Sequence, residues 1–589
     1  MKHWVCFVIL ASAAFAADKD PILDAMKDEL QRGMSLSLQQ LEKPYYAQYT
    51  VDDLHSWTAT ATLGGLINSR EDRARVPAVK VRVGDYKFDN TNWVGSDFSS
   101  GTRYGLGSFP LDADYGALRR FLWLNTDSAY KGSLQAIARK RAALRNVSVT
   151  DQLPDFSMAA KVQILREPAT FNFKAAPWVE RTRVVSGVFT SFPALRSSMV
   201  EFSVIGGLHR FVNTEGSEIR TNYNIGSVQI RAAAQAADGM IVRDAAIFYT
   251  RDTSKMFAEE ELKAAAKVTA ENVGRMALAP VGENYSGPVL FEGVAAPQVM
   301  AQLLGVNLHI ARKPVPSPGQ PAPAASTELE GRRGVRVMPE FFDVTDDPTV
   351  ADYQGKPLFG TFEVDDEAVV PRKVSLVEKG VLKDFLRTRQ PVRGYTESNG
   401  RARMGGSYGA NMPAPSNLII QARETSTVPE LKKKLIDICQ QRGLAYGIIV
   451  RKLDFPSTAS IEEARKILSS SASGGSSRPI SVPLLVYKVY VDGHEEMVRG
   501  LRFRSLNARS LKDILAAGND SVVFSYLENG APFAFLGSGG SVAEVSVVAP
   551  SLLIDDVDLG KADDDLPKLP IVPSPHTASI QTATQSAVR

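Results

Sequence analysis

Apolar and polar residues alternate singly along much of the first half of the chain. Ala47 to Thr62 and Val76 to Phe88 keep the period of two that marks a strand with one buried face. The pattern returns at greater length over Arg181 to Val204 and Leu208 to Ile219. Between these runs, Tyr115 to Arg145 is rich in Leu, Ala, Lys and Arg and predicts a long helix. Leu23, Met26 and Leu30 are spaced to line one face of an earlier helix that can cover a sheet. Glu259 to Leu278 predicts another: its acidic start suits the positive end of the helix dipole, and Leu262, Ala266, Val273 and Met276 share one side. Two hairpins are predicted further on. Glu378-Lys379-Gly380 turns the run Val374 to Leu386, and Asp492-Gly493 turns Leu484 to Phe503. Helices and antiparallel strands without a regular β-α-β alternation predict an α+β fold.

A chain of 589 residues exceeds the size of a single core, so at least two packed units are expected. We place an N-terminal α+β domain at 17–270 and a β-rich C-terminal domain at 271–561. Pro314, Pro316, Pro318, Pro321 and Pro323 make 313–327 an extended loop, and Ser469 to Ser477 reads as a second, flexible one. Residues 562–589, acidic and then rich in Pro, Ser and Thr, read as a disordered tail. At the other end, Lys2, the apolar run Trp4 to Leu10 and the small-x-small Ala14-Phe15-Ala16 read as a signal peptide over 1–16. Export to the periplasm or the extracellular space is the expectation. No later run approaches the ~20 apolar residues of a spanning helix, so no membrane span is expected.

The 68 basic and 65 acidic residues nearly balance and form no dense basic block, which gives no electrostatic case for nucleic acid. With Cys6 in the signal segment, Cys439 stands alone, in an apolar helical pattern that points to packing. Outside the signal segment the histidines are His55, His209, His309, His494 and His576. None belongs to an HExxH pair: His494-Glu495 is followed by Val498 where a second imidazole is needed. Neither a GxSxG elbow nor a phosphate-binding glycine loop is present, and Met404 to Gly409 reads as a flexible loop beside a cleft. Asp343, Asp346, Asp347, Asp365, Asp366 and Glu367 form an acidic neighbourhood, readable as a site for a hard cation or as solvated turn carboxylates.

Several short segments, in order, carry a resemblance. They are Phe211 to Gly216, Asp346-Asp347-Pro348-Thr349, Gly360 to Leu382, Ser398 to Arg401, Met412 to Asn417, and Val498-Arg499-Gly500 leading to Gly518-Asn519-Asp520. Together they resemble the TldD/PmbA family of metallopeptidase-related proteins, from about Arg181 to Lys561. The resemblance implies a two-domain protomer with mixed sheets and covering helices that dimerises and acts in proteolysis of peptides or unfolded segments. In the TldD-like branch a helix carries HExxxH and a distant Cys completes a metal site; the PmbA-like branch lacks them and pairs with a TldD-like partner. Here the two His positions fall on Phe291 and Ala296, the Cys position on Leu536, and only Glu292 remains of the motif. No zinc is therefore expected in this chain, only in a catalytic partner. Glu292 is either a general base or a remnant at a helix start. Two other readings stay open: an active metallopeptidase with a zinc site relocated to His494, Glu495 or the acidic residues around Asp366, and a homodimer that binds peptides without cutting them.

Overall fold

The computed structural model describes residues 20–562 apart from 39–40, 95–101, 105–108, 113, 146–152, 170, 172, 255, 317–326, 406–408, 456–479 and 530–541. The signal-peptide segment 1–16, Leu536, Ser469 to Ser477, most of the Pro-rich loop and all of the tail 562–589 except Ala562 lie outside the described residues.

Strands Pro44–Thr62, Gly65–Val83, Ser197–Asn213, Glu218–Gln235 and Ile241–Thr250 build one antiparallel sheet. The Pro44–Thr62 strand is central, paired to Gly65–Val83 on one side and Ser197–Asn213 on the other. Alternation along it decides the two faces. Ala47, Tyr49 and Val51 point the same way as Val79, Val81 and Val83, and all are buried against helices α1 (Pro21–Met34) and α2 (Tyr115–Leu144). Removing each such side chain from water is worth about 1.5–3 kcal/mol for the larger ones, enough to hold both helices on this face. Helix α1 begins where Asp20 accepts a hydrogen bond from the Leu23 N–H at 3.2 Å, with Pro21 opening the first turn. The opposite face carries Gln48, Thr50, Asp52, Lys80 and His209, and it meets the loops of the second half.

The first-half expectation is corrected at two places. Arg181 to Val204 is not one strand: helix α3 (Ala175–Gly187) and a 3-10 turn precede the strand that starts at Ser197. Thr182, Val185 and Phe189 are buried at intervals of three and four, a helical period that the neighbouring valines disguise as alternation. Leu208 to Ile219 is broken by a tight turn, in which Asn213 Oδ1 accepts from the N–H groups of Glu215 and Ser217 and Gly216 takes φ +86°.

Among the described residues, the second half holds two large sheets with helix α5 (Ala295–Leu303) between them. One sheet runs Val381–Leu382, Val374–Glu378, Phe342–Asp346, Asn417–Ala422, Val542–Ala549 and Val522–Asn529. The other runs Glu495–Val498, Pro483–Tyr490, Tyr446–Leu453, Tyr285–Phe291 and Leu552–Lys561, with Leu501–Phe503 and Ile514–Ala517 both on the last strand. All residues of α5 except Gln302 are buried, as a helix covered on every side must be. Both predicted hairpins form. Lys379 and Gly380 adopt φ 47° and 72°, the left-handed pair whose twist suits a two-residue hairpin. Helix α4 (Glu259–Leu278) lies on the first sheet, and its apolar side shares a core with α6 (Val428–Gln441) and the second-half strands Tyr446–Leu453 and Pro483–Tyr490. Cys439 of α6 is buried in that core, and burial pushes its thiol up.

Candidate functional site

The six positions that the resemblance aligns with HExxxH do not share one helix. Phe291 is the last residue of its strand, paired with Val450 on one side and Leu552 on the other. Gly293 then turns the chain at φ +61°, and Ala296 lies in the first turn of α5. Phe291 and Ala296 are both fully buried in the apolar core, with the Phe291 ring centroid 5.9 Å from that of Phe503.

Glu292 is the polar residue at this junction. Its N–H donates to the Val450 carbonyl at 2.9 Å, which continues the strand pairing one residue further. Its carboxylate does not cap α5. Glu292 Oε2 accepts from Arg451 Nε at 3.1 Å, because Val450–Arg451 runs alongside Phe291–Glu292 in the parallel pair. Arg451 also donates to both oxygens of Glu495, at 2.9 and 3.3 Å, and Glu495 accepts from Lys432 Nζ at 2.6 Å. The guanidinium lies 4.5 Å from the centroid of the Tyr487 ring. Burial opposes its charge, but the two carboxylates outweigh that and raise its pKa; Lys432 and Arg451 likewise overcome burial and lower that of Glu495. A row of alternating charge, Lys432, Glu495, Arg451 and Glu292, thus runs up to the strand end.

These residues do not fit a zinc ion. Phenylalanine and alanine offer no lone pair, and the one carboxylate present is held by a guanidinium. The relocated sites of the sequence reading are not assembled either. Glu495 is committed to Lys432 and Arg451, and the His494 ring stacks on Tyr490 with centroids 6.0 Å apart. The acidic neighbourhood is divided among separate partners. Asp343 pairs with Arg423, Asp346 with Arg401, Asp347 with Thr349, and Asp365 with the N–H groups of Glu367, Val369 and Ala402. Among the described residues no group of three or more His, Cys, Asp or Glu is placed to hold a metal ion.

Several of the resembling segments serve structure. Arg401 Nε donates to Asp346 Oδ1 at 2.6 Å, both side chains having no exposed surface, and the same guanidinium donates to the carbonyls of Asn399, Gly400 and Arg372. Asp346 further accepts from the Ser416 N–H and hydroxyl, while Asn417 receives the Gly360 N–H and donates to the Asp347 carbonyl. One buried network therefore ties together four of the short segments.

A second polar region was marked in the sequence only at Asp366. On the polar face of the first sheet, His209 and Asp52 are cross-strand partners, with Nδ1–H donating to Oδ1 at 2.6 Å. Lys80 stands opposite Gln48 two strands from His209, and its ammonium donates to Asn411 Oδ1 at 2.6 Å. The 365–367 turn descends on this face, where Gln48 Nε2 donates to the Asp366 carbonyl at 3.2 Å. The period-two alternation of the Pro44–Thr62 strand announces a polar face, but nothing local in the sequence says that Asp366 and Asn411 will come to it.

Residues 291–455 match the family described as the PmbA/TldA metallopeptidase C-terminal domain. A protein named metalloprotease from Archaeoglobus fulgidus is 39% identical over 88 residues, which is 15% of this chain and 19% of that protein. The chain thus spans about a fifth of that relative's length. Among solved structures, a candidate modulator of a DNA gyrase from Thermotoga maritima and TldE from Thermococcus kodakarensis each superpose with a TM-score of 0.56. Their identities are 15% and 13%, over 91% of this chain and 100% of each of theirs, so they share its fold. With the motif order, the matched domain and the shared fold in agreement, residues 291–455 belong to the PmbA/TldA metallopeptidase C-terminal domain family, and the chain has the fold of TldE.

Proposed function

We propose that this chain is a non-catalytic TldD/PmbA-type subunit that acts in proteolysis of peptides by pairing with a TldD-like catalytic partner. The observation that carries the reading is the junction at 291–296. Its two His positions are apolar and sealed in the core, and its one carboxylate is neutralised by Arg451 instead of being left to activate a water. A general base needs its proton acceptor within reach of a bound, activated water, and a salt-bridged Glu292 is poorly placed for that. The chain's N-terminal Lys2, Trp4 to Leu10 and Ala14-Phe15-Ala16 support export, so both subunits would work outside the cytoplasm. No helix among the described residues is long and apolar enough to cross a membrane.

The test is elemental analysis of the protein purified without chelator or metal-affinity tag, alone and after co-expression with a TldD-like protein, together with hydrolysis of an unfolded protein substrate. The expected result is no stoichiometric metal and no cleavage alone, and one metal per complex with cleavage restored. One zinc per chain in the protein alone would overturn the reading in favour of a relocated active site.

A further inference from the structure

The polar face of the first sheet holds hydrogen-bonding capacity that the described residues do not use. Lys80 offers three donors and, among the described residues, spends one, on Asn411. Asn411 is 4% exposed, and its Nδ2 has no acceptor. An unmet buried donor costs about 1–3 kcal/mol, so a fold retains one where something else meets it. Asp366 is incompletely buried, yet neither of its carboxylate oxygens receives a hydrogen bond from the described residues. His209 spends Nδ1 on Asp52, and its Nε2 has no partner among the described residues; the two side chains keep 27% and 32% of their surface exposed.

The arrangement has a direction. Lys80 stands opposite Gln48, and His209 stands opposite Asp52, four residues further along the same strand. At the strand rise that distance is roughly 13 Å, the length of four extended residues. The end at Lys80 and Asn411 presents N–H donors and positive charge. The other end, with Asp52 and His209, is rich in acceptors, and Asp366 hangs between the two ends, its carbonyl held by Gln48. An extended peptide ending in a carboxylate has the complementary order: an anion with two acceptor oxygens, preceded by N–H groups.

We propose that this polar face binds the carboxyl terminus of an extended peptide, the carboxylate taking the free donors of Lys80 and Asn411, Asp366 receiving an intervening N–H group, and the Asp52–His209 pair receiving N–H groups or a basic side chain three to four residues earlier. The proposal rests on the peptide-client reading above for its choice of ligand, and it gives this chain a recognition role of its own. Lys80 and Asn411 set the terminus, so the chain discriminates free ends from internal segments.

The probe is an alanine-rich hexapeptide, labelled at its N-terminus, with one lysine four residues before a free carboxylate. Fluorescence anisotropy on the full-length protein compares it with the same peptide amidated at its C-terminus. The expected result is binding of the free acid, weakened about tenfold or more by amidation and by Lys80→Met, within about threefold of the original for Lys80→Arg, and weakened about threefold by Asp366→Asn. Circular dichroism confirms that each variant is folded, and Lys80→Arg keeps the test decisive should Lys80→Met unfold. Equal affinity for acid and amide, indifference to Lys80→Met, or no binding of the hexapeptide would overturn the proposal. Cleavage of the probe by the protein alone would overturn the non-catalytic reading and leave the ratio of acid to amide affinity to decide the role of the polar face.

Discussion

The strand end at Phe291 and the polar face at Lys80 and His209 are opposite outcomes of one problem, how to treat polar groups near a core. At the strand end each charge is matched: Glu292, Arg451, Glu495 and Lys432 form a closed row, and the residues beyond it are apolar. On the polar face the charges are left partly unmatched, with Lys80 and Asp366 near one another yet unpaired. Burial presses on both of them, lowering the Lys80 pKa and raising that of Asp366. A matched group stabilises the fold and has little left for a ligand. An unmatched one costs stability and keeps its capacity for binding. The position that the family motif names is the spent one.

The largest effects should come from the matched groups deep in the fold. Phe291→Ala removes a fully buried ring and is expected to cost about 3–5 kcal/mol in denaturant unfolding. Arg401→Ala, which strands Asp346 in a site with no exposure, should cost a similar 3–5 kcal/mol. Ala296→His, a step toward the motif, inserts a ring into a filled core and should destabilise by about 1–3 kcal/mol. Paired with Phe291→His, it should not confer zinc binding while Arg451 holds Glu292. Stoichiometric zinc in that double variant would erase the contrast between a closed and an open region.

A pH series sharpens the comparison at the 365–367 turn. Burial, aided by the charge of Glu367, pushes the Asp365 carboxyl up to about 8 from 3.8. The folded protein then keeps a proton that the unfolded chain releases above about pH 4, so this group's stability is whole below that pH and is lost as pH rises toward 8, by at most about 1.4 kcal/mol per unit. Glu367→Gln retains an acceptor for the Arg389 N–H and should flatten the fall of Tm across that range. The smallest effect is expected for Arg451→Met. Its side chain is about a third exposed, so solvent screens the pairing, and a loss near 1 kcal/mol is expected.

Much of the architecture was legible because it rests on local chemistry. The left-handed Lys379-Gly380 turn, the Asp492-Gly493 turn and the acid-started helix α4 are each written within a few neighbouring residues. The unbroken strand expected over Arg181 to Val204 failed because paired valines satisfy both periods, and only packing on the sheet chose the helix. The site was legible in its losses, since Phe291 and Ala296 have no donor atom wherever they fold. What replaced them was not, because Arg451 reaches Glu292 across 159 residues and Asp346 reaches Arg401 across 55. The same reach hid the nature of the acidic neighbourhood, whose members look alike in sequence and differ only in their distant partners.

The strand Leu552–Lys561 has a consequence for how the molecule is made. It lies between Tyr285–Phe291 and Leu501–Phe503, and the Lys561 N–H donates to Asn284 across 277 residues. During synthesis the strand that ends at Phe291 therefore waits until Tyr446–Leu453 for its first neighbour and for nearly half the chain for its second, with an apolar edge exposed meanwhile. Such long-range pairing is slow and prone to aggregation. The first sheet closes from strands that end at Thr250 and is free of that delay, so the newborn chain should acquire its polar face well before it seals its silent one.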